Sequence, residues 1–378
     1  MILAIETSCD ETACSIVKRV GDHKFKILSN IIASQINIHQ KYGGVVPEVA
    51  SRQHTEKIDS VVKEAIEQAN IKLEEVEAVA ATFAPGLIGA LLVGFNFAKA
   101  LAYGLGVPFI PVHHIEGHIA ANYIENDMPP DFLCLVVSGG HSHIIKVENY
   151  DNFEVLARTR DDAAGEAFDK IARLLGLGYP GGPAIEKAAQ NGNPHAYKFP
   201  QVKFENSDDF SFSGVKTSVI NLVHNMQQRK KTNNEEVITN NYCRIASQFA
   251  KYKKYKKERI RKNSNHSYSL FVIRYSLEAD ISASFQHTIC STLTDRLICV
   301  AEKSNTKTIA ISGGVACNGY LKNMLKEKAV QNGLDFYYPA PILCIDNAAM
   351  IATRAFYHFD KKQFGELDSN AKATLPMG

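Results

Sequence analysis

The chain is laid out twice on one plan, and that repetition constrains its fold more than any other feature. Residues 1–7 alternate and are rich in β-formers. The polar turn Ser8-Cys9-Asp10-Glu11-Thr12 follows, then short strands at 13–17 and 25–34. Far downstream, Phe132-Leu133-Cys134-Leu135-Val136-Val137 reads as a buried strand, Ser138-Gly139-Gly140 as a turn, and 141–147 as a returning strand. A later strand, 308–311, again ends in small residues, Ser312-Gly313-Gly314, before a helix from Asn318. No solenoid period is present. Two halves, each opening on a hairpin, predict an α/β fold with duplicated mixed sheets flanked by helices. Small residues in such turns let backbone N–H groups face a phosphate. An ordinary hairpin turn would look the same.

The intervening segments fit this plan. Helices are expected at about 47–69, 87–105, 161–175, 184–190, 281–302 and 347–359, with strands at 76–82, 109–112 and 335–338. Gly89, Ala90, Gly94 and Ala98 run along the 87–105 helix, so something packs close there, either a partner or the chain itself. The 378 residues suggest about two domains. The expected division is 1–130, 131–346, and a C-terminal helix and tail at 347–378 packing back on the first. The tail from Lys361 reads as an ordinary mobile end.

Residues 226–279 differ: polar, nearly core-less, a basic low-complexity insertion expected to be disordered or loosely helical. Residues 251–262 hold eight basic side chains and one acid. Removing that +7 turns the net +2 into about −5, so overall charge argues neither for nor against a nucleic-acid partner. Eight scattered cysteines without C-x-x-C, no recognisable signal peptide and no apolar run of spanning length predict a cytoplasmic chain with no membrane.

The run His113-His114-Ile115-Glu116-Gly117-His118 follows the strand at 109–112. On a helix, His114 and His118 stand four apart on one face and can reach one metal ion. Surface histidines on a polar helix start are the competing reading. The sequence is not H-E-x-x-H, because Ile115 follows His114, which weakens a zinc-protease reading.

Taken with Ile5-Glu6-Thr7-Ser8-Cys9-Asp10-Glu11-Thr12, Tyr42 to Glu48, Pro85-Gly86-Leu87, Val136 to His141, Gly165 to Lys170, Tyr179 to Pro183, Phe210 to Lys216, Ser312 to Asn318 and Asp346-Asn347, that run resembles one family in order along nearly the whole chain. It is the tRNA N6-adenosine threonylcarbamoyltransferase family, formerly the O-sialoglycoprotein endopeptidase family, and the likeness is to its bacterial transferase subunit. The resemblance implies a two-lobed actin-like, sugar-kinase and heat-shock ATPase fold around a nucleotide cleft. It implies transfer of the threonylcarbamoyl group from threonylcarbamoyl-adenylate to the exocyclic amine of the adenosine beside the anticodon, in tRNAs reading codons that start with A.

Carried over, His114, His118 and Asp346 would hold one metal ion, with Fe2+ preferred and Zn2+ the alternative. Val136, Val137, Ser138, Gly139 and Gly140 would follow the phosphate and carbamoyl part. Asp169, Gly182, Glu186 and Asn318 would hold ribose and adenine, and Asp10 and Glu11 would act near the reacting groups. Three of these have plainer readings: Asp169 could pair with Arg173, Glu186 could be a helix-start acid, and Asn318 a helix cap. Glu186 stands where many relatives carry aspartate, and the 226–279 segment is longer than usual. The implied partners are tRNA, threonylcarbamoyl-adenylate, a catalytically inert paralogue of the same fold as heterodimer mate, and a small P-loop ATPase. This chain has no G-x-x-x-x-G-K-[ST] of its own. A zinc endopeptidase, a non-catalytic scaffold and a plain ATPase or sugar kinase are the competing functions.

Overall fold

The structure, a computed structural model, describes residues 1–232 and 266–377. The basic run at 251–262 therefore lies outside the described residues, as does most of the segment expected to be core-less. Among the described residues, ten strands form two five-stranded sheets. The first contains β1 (Ile2–Glu6), β2 (Glu11–Gly21), β3 (Lys24–Ser34), β4 (Ala78–Ala84) and β5 (Phe109–His113). The second contains β6 (Phe132–Val137), β7 (Ser142–Glu148), β8 (Asn152–Arg158), β9 (Thr308–Ser312) and β10 (Asp335–Tyr337). The longer helices are α1 (Pro47–Ala69), α2 (Ile88–Leu105), α3 (His114–Ala120), α4 (Ala164–Leu175), α5 (Gly181–Ala189), α6 (Ser213–Thr232), α7 (His266–Lys303), α8 (Gly319–Gln331) and α9 (Ala348–Asp360).

Both sheets have the same order. In the first it is β3-β2-β1-β4-β5; in the second, read from its other end, β8-β7-β6-β9-β10. In each, an antiparallel meander of three strands continues into two parallel ones. The duplication expected from the strand–turn–strand repeat is thus complete at the level of topology.

Strand alternation assigns each sheet two covered faces. Leu3 and Ile5 point into a core with α1 and α2, while Ile2 and Ala4 point into one with α3 and α9. In β6, Leu133, Leu135 and Val137 face α4, α7 and α8, while Phe132, Cys134 and Val136 face α3 and α9. Helices α3 and α9 therefore lie in a layer between the sheets, and the helix that carries His114 and His118 is held on both sides.

Several expectations need correction. The α4 helix begins at Ala164 rather than 161, because Asp161 and Asp162 are engaged elsewhere. Asp161 accepts hydrogen bonds from the Ser211 and Ser213 hydroxyls and the Phe212 N–H, and Asp162 pairs with Lys170 and Lys216. Strand β8 was not anticipated. The tail is not a free end: the Gly365 N–H donates to the Phe109 carbonyl, Lys372 N–H to Phe83, and the Ala373 carbonyl accepts from Gly86 N–H. Helix α2 is long and apolar enough to cross a membrane, contrary to the expectation that no run is; its face of Ala90, Leu91, Phe95, Ala98 and Ala102 is buried against the first sheet and α1.

Two glycines fix how the second hairpin turn is braced. Gly313 has φ +89°, and a Cβ there would sit 2.5 Å from the Val137 carbonyl oxygen. Gly165, in the first turn of α4, donates its N–H to the Ser138 carbonyl at 3.3 Å, and Glu166 N–H donates to Gly139 at 3.1 Å. A Cβ on Gly165 would stand 2.6 Å from that Ser138 oxygen and 2.8 Å from Gly139 Cα. Gly165→Ala should therefore push α4 off the loop and destabilise the chain by about 1–3 kcal/mol, the usual cost of overpacking. Urea unfolding at matched slope checks this.

Candidate active site and metal centre

The two hairpin turns face each other across a cleft of about 1380 Å³. Ser8, Cys9, Asp10 and Glu11 form one wall and Ser138, Gly139, Gly140 and His141 the other. His114 and Asp346 lie on its floor, Asp169 and Gly182 on the α4–α5 side, and Thr374 to Met377 of the tail close one edge.

The floor follows from chain connectivity. Strand β5 runs straight into α3, so His114 is the first helical residue and His118 lies one turn on. Asp346 immediately precedes Asn347, whose side chain caps α9 by accepting from Met350 N–H at 3.0 Å. The start of α3 and the start of α9 thus converge. One ligand atom from each of His114, His118 and Asp346 lies within 4.8 Å of the others. Asp346 Oδ1 is 3.2 Å from His118 Nε2 and 3.6 Å from His114 Nε2.

Charge is concentrated here. His118 has no exposed surface, and among the described residues neither ring nitrogen has a hydrogen-bond partner; the approach of Nε2 to Asp346 lacks hydrogen-bond geometry. Burial holds His118 below the usual imidazole range, and the neighbouring His114 adds to this. Burial would lower His114 too, but the carboxylates of Asp346 and Glu6 outweigh it and raise it to about 9. Asp346 falls to about 2, because His114 and His118 outweigh the cost of burying its charge. Across the wall, burial and then the neighbouring Asp10 and Asp346 push Glu11 well above the carboxylate range. Burial drives His141 down to about 3, with His114 contributing.

Glu6 is the residue that sequence reasoning missed. It ends β1 with no exposed surface, and its Oε2 lies 3.2 Å from His114 Nδ1. The Thr82 hydroxyl and the Ser8 N–H also donate to it. Burial would raise Glu6, yet His114 brings it below its ordinary value. The available signal was an acid inside the apolar run Ile2-Leu3-Ala4-Ile5, where a charge needs a partner.

The structure brings Asp10, Glu11, Ser138, Gly139, Gly140, Asp169, Gly182, His114 and Asp346 onto one cleft. Others stand back from its surface. Val136 and Val137 are buried in β6. His118 lies beneath His114, their rings 4.5 Å apart and nearly perpendicular. Asn318 caps α8, accepting from Leu321 N–H at 2.9 Å, and its amide donates to Gln286 at 3.0 Å. Glu186 accepts from Gly319 N–H at 2.8 Å. Asp169 accepts from Gly181 N–H at 2.7 Å rather than bonding Arg173, whose guanidinium donates to the Gly43 carbonyl.

Comparison with known proteins identifies the family. The family model described as tRNA N6-adenosine threonylcarbamoyltransferase matches residues 26–353. Proteins of that name from Clostridium novyi and Clostridium beijerinckii are each 46% identical over 380 residues, covering all of this chain and 98% of theirs. Among solved structures, full-length HypF in its phosphate- and nucleotide-bound form superposes with a TM-score of 0.56 at 15% identity, over 97% of this chain. HypF from T. kodakarensis gives 0.57 at 14% over 96%. This chain spans about half of each HypF (47% and 48%), and that likeness shows the shared fold alone. The chain belongs to the tRNA N6-adenosine threonylcarbamoyltransferase family.

Proposed function

We propose that this chain transfers the threonylcarbamoyl group from threonylcarbamoyl-adenylate to the exocyclic amine of the adenosine beside the anticodon in tRNA, in the cleft between the two hairpin turns. The observation that carries this reading is the meeting of His114, His118 and Asp346 on the floor of a cleft walled by the Ser138-Gly139-Gly140 turn. The residues suit a divalent metal ion. His118 is fully buried, with no hydrogen-bond partner at Nδ1 and only the Asp346 carboxylate 3.2 Å from Nε2, an arrangement that a metal bond would relieve. Two imidazoles and one carboxylate also leave coordination positions open, as catalytic sites do. Iron and zinc both accept this donor set, and the preference for iron rests on the family resemblance alone. Such an ion supplies Lewis acidity toward a carbonyl or phosphoryl oxygen.

The chain's own residues do the rest. Gly139 and Gly140 lie exposed on the wall with open space where a Cβ would be, so backbone can approach the phosphate closely. Asp169 and Gly182 take the ribose side. The amine nitrogen attacks the carbamoyl carbon, the bond from that carbon to the phosphate oxygen breaks, and AMP leaves with the electron pair. Asp10 and Glu11 line the facing wall and are the carboxylates placed to take the proton that the amine gives up. AMP is a good leaving group, so positioning matters more than activation. The reading includes the heterodimer mate and small ATPase implied by the family resemblance. It is tested by incubating the chain with those partners, threonylcarbamoyl-adenylate and unmodified tRNA, then digesting the tRNA and weighing its nucleosides. The modified adenosine is expected; its absence with partners known to be active would refute the reading.

Glu6 would orient the His114 ring by accepting from Nδ1, leaving Nε2 for the metal. Partners of this kind set ligand tautomer and basicity, and their loss costs about 10–100-fold in metal affinity. Glu6→Gln should weaken metal binding by that factor while the chain stays folded, read by competition with a chromogenic chelator.

A further inference from the structure

Two thiols meet at the edge of the cleft. Cys317 ends the 3-10 turn Gly314–Cys317 after β9, is half-buried and lines the cleft. Cys344 ends the one-turn helix Pro341–Cys344, two residues before Asp346, and is buried. The two segments pack directly on each other. Cys317 donates to the Pro341 carbonyl at 3.5 Å and Cys344 to the Pro339 carbonyl at 3.5 Å, so both sulfurs lie over one short loop. By contrast, Cys14 and Cys290 are sealed in separate cores, and Cys134 meets the Ser312 hydroxyl at 3.5 Å.

We propose that Cys317 and Cys344 form a reversible disulfide when the protein meets hydrogen peroxide, making this pair an oxidative modification site on the cleft wall. Cys317 is the thiol a small oxidant reaches from the cleft; Cys344 is the buried partner that resolves it, the usual arrangement of a redox-responsive pair. The adjacent Cys344 thiol holds Cys317 below the ordinary thiol range against burial, with the Lys322 cation helping. The Cys317 sulfur attacks one peroxide oxygen, the O–O bond breaks, and the other oxygen leaves as hydroxide and is protonated to water. Cys317 is then a sulfenic acid. The Cys344 sulfur gives up its proton and attacks the Cys317 sulfur, and the S–O bond breaks to release a second water. Two thiols lose two electrons and two protons, and one peroxide becomes two waters. A bond of about 2.05 Å draws the two segments together, which shifts Asp346 two residues on. That last consequence rests on the function proposed above.

The test uses the full-length, metal-loaded chain. After treatment with a small excess of peroxide, free thiols are alkylated and the protein is digested without reductant for mass spectrometry. A peptide linking Cys317 to Cys344, lighter by two hydrogens and abolished by dithiothreitol, is expected. In Cys344→Ser no link should form, and dimedone should label Cys317 as a sulfenic acid. Wild-type protein in which both thiols still alkylate fully, or in which Cys317 links to another cysteine, overturns the proposal. Transfer by the oxidised protein should fall and recover with dithiothreitol. Unchanged turnover in fully linked protein would overturn the coupling to Asp346, whereas absent transfer before any peroxide would count against the proposed function instead.

Discussion

His118→Ala should leave a folded chain that no longer retains a metal ion, with transfer reduced by more than about a hundredfold, beyond what losing a mere supporting partner costs. The expectation is large because His118 has no other visible role. Its ring is fully buried, its nitrogens make no hydrogen bond among the described residues, and its nearest polar atom is the Asp346 carboxylate at 3.2 Å. A histidine kept for packing would be satisfied by a carbonyl or hydroxyl, as His54 is by Thr12 at 2.7 Å and the Cys9 carbonyl at 3.0 Å. Metal analysis of the purified variant beside wild type, with single-turnover transfer on the same samples, reads both parts. A variant that keeps full metal content would make His118 a packing residue.

Arg354→Ala should cost about 3–5 kcal/mol of stability, because it strands buried charges rather than removing a surface pair. Arg354, 3% exposed in α9, donates to Glu116 on α3 at 2.6 Å and pairs with Asp151 in the turn between β7 and β8. It thus ties the inter-sheet layer to the second sheet. Glu116 sits between the two histidines in sequence but turns away from them, toward Arg354 and His358. Burial opposes its charge, yet His358 and Arg354 lower it from the usual 4.5 to about 2. A depressed folded value means the stabilisation is whole above about pH 4.5 and lost as pH falls toward 2. Without Arg354 that window moves up, so the variant should unfold in acid at a higher pH than wild type. Thermal melts across pH 3 to 7 measure both effects. Equal acid midpoints would show that Arg354 does not hold the Glu116 charge.

Much of this was legible in sequence because it is written in side chains. The strand–turn–strand repeat marks both hairpins, and at the second only small residues allow α4 and the Gly313 turn to approach so closely. The i, i+4 spacing of His114 and His118 survives as a shared helix face. Asp346 came only through family resemblance, because nothing local in Cys344-Ile345-Asp346-Asn347 says which distant residue it will meet. Asn318 turned out to cap α8, the plainer of its two readings. The tail was misread because what holds it, N–H groups on the Phe83 and Phe109 carbonyls, leaves no side-chain pattern. Strand β8 was passed over although Phe153, Val155 and Ala157 alternate, since Glu154 and Arg158 break its apolar character. Glu6 hid in a strand whose other residues are all core.

The most direct measurement of the central claim is transfer by one preparation in three states: as purified, stripped by chelator, and restored with ferrous iron, with His114→Ala run alongside. The account predicts modified tRNA from the first and third states only, and none from the variant in any state. Equal product from the stripped wild type or from metal-free His114→Ala would contradict it, leaving the reaction in the cleft but removing the His114, His118 and Asp346 centre from it.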